Sequence, residues 1–136
     1  MRVIGVDLGK ARIGVAVGVV EFGVATPRPN LIASGSLKDD AVALTEMARR
    51  EEADGFVIGI PENDDPKMAR ACRLLAGHLL EAGYRVFEVD ESFSTVEAEN
   101  ALRQTDLKAS GRRKLRDGES ARIILERFFD EYEAND

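Results

Sequence analysis

Short apolar runs and longer amphipathic segments alternate along this chain. Continuous or alternating apolar positions predict five strands, which cover residues 3–8, 12–17, 31–36, 55–60 and 85–89. The first two form a hairpin, and the Pro-containing segment 27–30 is interpreted as the turn that leads into the third strand. These three strands form an antiparallel meander.

Apolar residues at helical spacing mark the segments between and after these strands. Ser36 and Asp39 form a capping box before a helix at about 38–52, and a second helix lies within 64–83. Ser94 and Glu97 indicate a short helix through Leu102. The stripe of the last helix consists of Ala121, Ile124, Leu125, Phe128 and Tyr132. This order predicts a single α/β domain over 1–136, in which a mixed five-stranded sheet (three antiparallel strands, then two parallel) carries helices on both faces.

Composition restricts the function classes. The chain has 136 residues, 44% of them hydrophobic, and no run approaches the ~20 apolar residues of a membrane span. A single cysteine, Cys72, excludes an internal disulfide, and its place on an apolar stripe indicates core packing. The net charge of −6 argues against a protein that coats nucleic acid over its whole surface, although a local basic face remains possible. We therefore expect a cytoplasmic protein without a membrane partner.

The residue with the clearest chemical signal is Asp7. Asp is disfavoured inside a strand and costly to bury alone, so this carboxylate requires a metal, a cation or a hydrogen-bond donor. A hairpin Asp satisfied by backbone amides is the simpler alternative.

Four strings give the chain a family resemblance. They are DLGKARIGVA at 7–16, VIGIP at 57–61, DESFSTVEA at 90–98, and RRK at 112–114 leading to Asp117. In sequence and in order they resemble the YqgF/RuvX family, which has the RNase H-like fold. The resemblance implies that Asp7, Glu91 and Asp117 are the acidic catalytic and metal-binding residues. It also implies metal-dependent cleavage of nucleic acid, either at the 5′ end of pre-16S rRNA or at Holliday junctions.

The predicted fold is compatible with these three positions. Asp7 lies on the first strand, Glu91 just past the fifth, and Asp117 is expected at the start of the last helix. Three carboxylates at one edge of a sheet repel one another unless divalent cations separate them, and oxygen ligands select Mg²⁺ or Mn²⁺. Such a site suits phosphodiester hydrolysis. Glu119 is a weaker candidate than Asp117 for the third metal ligand. Asp117 could also be an ordinary helix cap, and Glu91 could be a solvated strand end.

Basic residues flank the acidic positions. The predicted nucleic-acid-binding residues are Lys10, Arg12, Lys108, Arg112, Arg113, Lys114 and Arg116. The polar run 105–111 is expected to be mobile until substrate orders it. Ser92 stands where the family usually has Arg, which weakens the expectation of strong catalysis.

Several functions remain open. We favour ribosomal RNA maturation, with pre-ribosomal particles as partners, because nothing in the sequence identifies the dimer surface that paired junction cuts require. The protein is therefore a monomer or a homodimer. Aromatic residues make up only 6% of the chain, so few bases can stack and sequence specificity should be low. A non-catalytic nucleic-acid-binding module is one alternative. A nucleotide-dependent enzyme of the actin, Hsp70 and sugar-kinase type is another, but it needs two such domains.

Overall fold

A mixed five-stranded sheet forms the centre of the molecule. The computed structural model describes the backbone of residues 1–91 and 109–134, and the side chains of 1–91 and 118–132. The strands are β1 (Arg2–Leu8), β2 (Arg12–Val19), β3 (Val24–Ile32), β4 (Gly55–Ile60) and β5 (Arg85–Asp90), in the order β3-β2-β1-β4-β5. The pairs β1–β2 and β2–β3 are antiparallel, and the pairs β1–β4 and β4–β5 are parallel. The mixed sheet with a central first strand is therefore confirmed.

Helices cover both faces of this sheet. They are α1 (Leu37–Glu51), α2 (Pro66–Glu81) and α3 (Ala109–Ala134), and a short 3₁₀ turn covers Val20–Phe22. The predicted Ser36 cap of α1 is confirmed, since its hydroxyl accepts a hydrogen bond from the Asp39 backbone N–H. None of the helices in the described ranges has the length and apolarity needed to cross a membrane.

Side chains alternate between two cores because successive strand residues face opposite sides of the sheet. Ile4 and Val6 of β1 pack with α1 and α2 in one core. Val3 and Val57 pack with α3 in the other core. Asp7 follows Val3 and Gly5 in the alternation, so it belongs to the face that α3 covers.

Helix α3 lies directly on the central strands. A Cβ atom on Gly5 would be 2.6 Å from Cγ of Leu125 and 2.8 Å from the Ala121 carbonyl oxygen, so glycine allows this close approach. Phe129 contacts Gly18, which pairs with Val3 nearer the start of β1. Toward its amino end, α3 therefore runs toward the carboxyl end of β1, where Asp7 lies.

The predicted third strand was misplaced. β3 covers Val24–Ile32, so the segment 27–30 that was interpreted as a turn lies inside it. β3 is an edge strand, where Pro27 and Pro29 are tolerated because an outer N–H needs no partner. Its register with β2 also shifts between Ile13 and Val15, which accommodates one extra residue in β3.

The predicted start of the last helix was also wrong. Because α3 includes Ala109–Ala134, Asp117 lies about two turns inside the helix and cannot be its N-terminal cap. Residues 109–111 are helical, and their mobility before substrate binds stays a prediction. The predicted helix through Leu102 and residues 105–108 lie outside the described residues.

Candidate active site

The carboxyl ends of β1, β4 and β5 meet at one edge of the sheet. Asp7 is the next-to-last residue of β1, and Glu91 directly follows β5. The backbone N–H of Glu91 donates to the Ile60 carbonyl at 3.1 Å, so the chain stays beside β4 past the end of β5. This bond fixes the position from which the Glu91 side chain starts.

The side chain of Glu91 extends over β4 toward Asp7. A Cβ atom on Gly59 would lie 2.9 Å from Oε2 of Glu91, which shows that the carboxyl group occupies the space left by this glycine. Burial, the charge of Asp7 and a side-chain hydrogen bond with Asp7 together raise the pKa of Glu91 to about 9. The structure thus brings together two of the three predicted acidic residues.

This carboxylate pair fits a divalent cation. Two half-buried carboxylates in contact can both ionise only if positive charge compensates them, and their ligand atoms are all oxygens. No cluster of three His, Cys, Asp or Glu occurs within residues 1–91 and 118–132. The described acidic residues in contact at this edge are therefore the pair Asp7 and Glu91.

Asp117 occupies a backbone position compatible with that role. Its backbone lies one helical turn before Ala121, whose carbonyl oxygen lies beside Gly5, on the side of α3 nearer to Asp7. Its side chain lies outside the described set. The rival Glu119 is engaged on its own helix, where it accepts a hydrogen bond from Arg122 at 2.6 Å.

Two predicted cations lie beside the acidic edge. Lys10 lies in the turn between β1 and β2 and Arg12 is the first residue of β2, and both side chains are exposed. A 3.0 Å hydrogen bond from the Gly9 N–H to the Arg12 carbonyl closes this turn. Lys108 lies outside the described residues. The remaining predicted basic residues belong to the part of α3 in which only the backbone is described. They are Arg112, Arg113, Lys114 and Arg116.

Two residues near the site were missed in the sequence analysis. Gly59 adjoins Glu91, and a glycine inside a buried strand such as VIGIP could have signalled a close approach. Arg127 of α3 donates a 2.9 Å hydrogen bond to the Asp90 carbonyl, next to Glu91. No local sequence signal marked it, because its partner belongs to a distant strand.

Cys72 takes no part in this chemistry. It is fully buried in the core below α2, as its position on the apolar stripe predicted. Burial, together with the charges of Glu91 and Asp7, raises the pKa of the Cys72 thiol to about 12. The thiol therefore stays protonated at neutral pH and is a poor nucleophile.

Known structures share this architecture. RuvC of T. thermophilus in complex with a Holliday junction substrate superposes with a TM-score of 0.61 at 18% sequence identity, covering 98% of this chain and 96% of that one. Another T. thermophilus RuvC structure gives a TM-score of 0.58 at 15% identity. These similarities show an RNase H-like fold.

Sequence relatives cover nearly the whole chain. A protein of Anaeromyxobacter dehalogenans named "Putative pre-16S rRNA nuclease" is 37% identical over 134 residues, which cover 96% of this chain and 97% of that protein. A protein of Moorella thermoacetica with the same name is 35% identical over 138 residues. The family described as "RuvX: Holliday junction resolvase" matches residues 1–131. This chain belongs to the RuvX (YqgF) family.

Proposed function

We propose that this protein is a divalent-metal-dependent nuclease that hydrolyses phosphodiester bonds at the carboxyl edge of its sheet. The contact between Asp7 and Glu91 is the observation that carries the proposal. Burying two carboxylates together costs stability, and strongly perturbed carboxylates in contact are typical of functional sites, where a cation can join them. Membership in the RuvX family supports the same chemistry.

The acidic residues would hold Mg²⁺ or Mn²⁺. Asp7 and Glu91 contribute carboxylate oxygens from β1 and from the end of β5, and Asp117 would add a third carboxylate from α3. A bound divalent ion supplies activation of a water and neutralises the leaving oxyanion of a phosphodiester. The protein fixes the ligands on two rigid strands and a helix, which limits the reorganisation needed during reaction.

The basic residues would hold the substrate backbone. Lys10 and Arg12 are exposed at the same edge as Asp7, and they are suited to contact phosphates on one side of the scissile bond. Lys108 and the basic positions of α3 before Asp117 would contact the other side. A local basic edge explains how a chain with a net charge of −6 binds a polyanion.

The favoured substrate is the 5′ region of pre-16S rRNA, with action in the cytoplasm on pre-ribosomal particles. The names of the curated relatives support this substrate. Cleavage of Holliday junctions is the second candidate, because the family description and the RuvC complex with a junction support it. A resolvase must place two sites around a two-fold axis, whereas RNA processing can be done by a monomer.

Cleavage assays with matched variants test this proposal. End-labelled pre-16S 5′ segments, unrelated single-stranded RNA and four-way DNA junctions are incubated with Mg²⁺, Mn²⁺ or chelator. We expect metal-dependent RNA cleavage that Asp7→Asn abolishes, whereas Asp130→Asn, at an exposed position of α3, cleaves like the wild type. Symmetric cuts in junctions would instead identify a resolvase.

Two results would refute the proposed mechanism. Cleavage that survives Asp7→Asn or chelation would exclude a mechanism based on the carboxylate pair. Binding of these nucleic acids without any cleavage would identify a non-catalytic binding module.

A further inference from the structure

Gly59 of β4 lies under the carboxylate pair. Its Cα faces α3, on the same side of the sheet as Asp7, and β4 runs between β1 and β5. We propose that Gly59 is a positioning residue, whose lack of a side chain lets Glu91 reach across β4 to Asp7. This inference rests on the proposed function, because it concerns the ability of that pair to hold a cation.

The space above Gly59 is filled from two directions. A Cβ atom there would lie 2.9 Å from Oε2 and 3.0 Å from Cβ of Glu91, and 2.4 Å from Cδ1 of Ile124. Real Cβ atoms essentially never come this close to other heavy atoms, so both neighbours must move if residue 59 gains a methyl group. Glycine is thus the residue that fits beneath Glu91.

Glu91 has little freedom to avoid such a methyl group. Its backbone is held to β4 by the 3.1 Å hydrogen bond to the Ile60 carbonyl, which limits how far its Cβ can retreat. Its side chain can rotate, but rotation away from Gly59 removes the carboxyl group from Asp7. The expected result is a carboxylate pair that is separated or misaligned.

The misaligned carboxylate pair of Gly59→Ala should bind a metal ion more weakly. Residues that orient metal ligands typically change affinity 10- to 100-fold when they are substituted, and we expect Gly59→Ala to weaken Mn²⁺ binding at least about ten-fold. Binding is measured directly from the electron paramagnetic resonance signal of free Mn²⁺. Only the part of the binding that Asp7→Asn removes is counted as this site.

Gly55→Ala is the matched control. Gly55 lies at the other end of β4, where a Cβ atom would meet the Arg85 carbonyl oxygen at 2.7 Å and the Arg85 Cβ at 3.0 Å. This substitution also forces β4 and β5 apart, but far from Asp7 and Glu91. We expect both alanine variants to lower the free energy of unfolding, and only Gly59→Ala to lose Mn²⁺ affinity.

A double variant separates the effect on Glu91 from the effect on α3. In Gly59→Ala/Ile124→Val the Cδ1 atom is absent, so the closest overlap with α3 is relieved while the overlap with Glu91 remains. We expect the double variant to regain stability without regaining Mn²⁺ affinity.

Each other outcome overturns the inference. Wild-type affinity in Gly59→Ala would show that Glu91 does not need the glycine. Recovery of affinity in the double variant would assign the loss to helix packing. If the wild-type protein itself shows no Mn²⁺ binding that depends on Asp7, the proposed metal site fails, and the inference fails with it.

Discussion

Substitution of Glu91 by Gln should stabilise the protein when no metal is present. Burial and the charge of Asp7 raise the pKa of Glu91 from its ordinary value of 4.5 to about 9. The folded protein therefore keeps a proton on Glu91 between these values, whereas the unfolded chain releases it. Because the folded state binds more protons, the contribution of Glu91 to stability is complete below about pH 4.5 and is lost as the pH rises toward 9. Gln carries no charge, so it avoids this loss.

The stabilisation by Glu91→Gln at pH 7 depends little on how far above 7 the pKa of Glu91 lies. About 2.5 pH units separate 4.5 from pH 7, and each unit corresponds to about 1.4 kcal/mol. The upper figure is therefore about 3 to 4 kcal/mol, and relaxation of the half-buried site and access of water reduce it. We expect Glu91→Gln to raise the free energy of unfolding by about 1 to 3 kcal/mol near pH 7, and hardly at all near about pH 4.5.

Urea unfolding in chelator at several pH values measures this difference. Glu88→Gln is the control, because Glu88 is on the same strand but its exposed carboxylate lies 3.6 Å from Nε of Arg73, on the opposite face. It should change stability by less than about 1 kcal/mol. Addition of Mg²⁺ should stabilise the wild type and leave Glu91→Gln unchanged, because only the wild type retains the carboxylate pair. The reasoning fails if Glu91→Gln is the less stable protein in chelator near pH 7, or if its advantage does not grow with pH.

Three further predictions concern the core between the sheet and α3, the ion pair between Arg28 and Glu51, and the exposed Arg12. Phe129→Ala should lower the free energy of unfolding by about 3 to 5 kcal/mol in urea titrations, because it empties a buried space over Gly18; a loss below about 1 kcal/mol would contradict this packing. The hydrogen bond from Arg28 lowers the pKa of Glu51, so Glu51→Gln should lower the free energy of unfolding by about 0.5 to 1 kcal/mol at neutral pH. This loss should vanish as the pH falls below about 4.5, and a pH-independent difference would exclude the ion pair as its cause. Arg12→Ala should weaken nucleic-acid binding and reduce the slope of log affinity against log salt by about 0.7 to 0.9, whereas an unchanged slope would show that Arg12 makes no phosphate contact.

Local sequence signals predicted most elements correctly. The β1–β2 hairpin, α1 with its Ser36 cap, and the buried strand β4 are confirmed because each is determined by neighbours in sequence. The comparisons confirm the RuvX family and the RNase H-like fold. The roles of Asp7, Glu91 and Asp117 remain predictions.

The errors occurred where tertiary context outweighed local preference. Pro27 and Pro29 indicated a turn, but an edge strand accepts both because its outer N–H groups need no partner in the sheet. The polar start of α3 gave no apolar stripe, so the helix was expected to begin near Asp117. The helix instead begins at Ala109, eight residues before Asp117.

The sequence by itself determined four of the five strands, most helix positions and the candidate carboxylates, because hydrophobic period and residue chemistry are local properties. Only the tertiary structure decided that Glu91 lies against Asp7, since that contact requires parallel pairing of β1, β4 and β5. It also decided the space above Gly59, because its occupants are Glu91, directly after β5, and Ile124 of α3. Distances between residues far apart in the chain are set by packing, and packing supplies the burial that raises the pKa of Glu91.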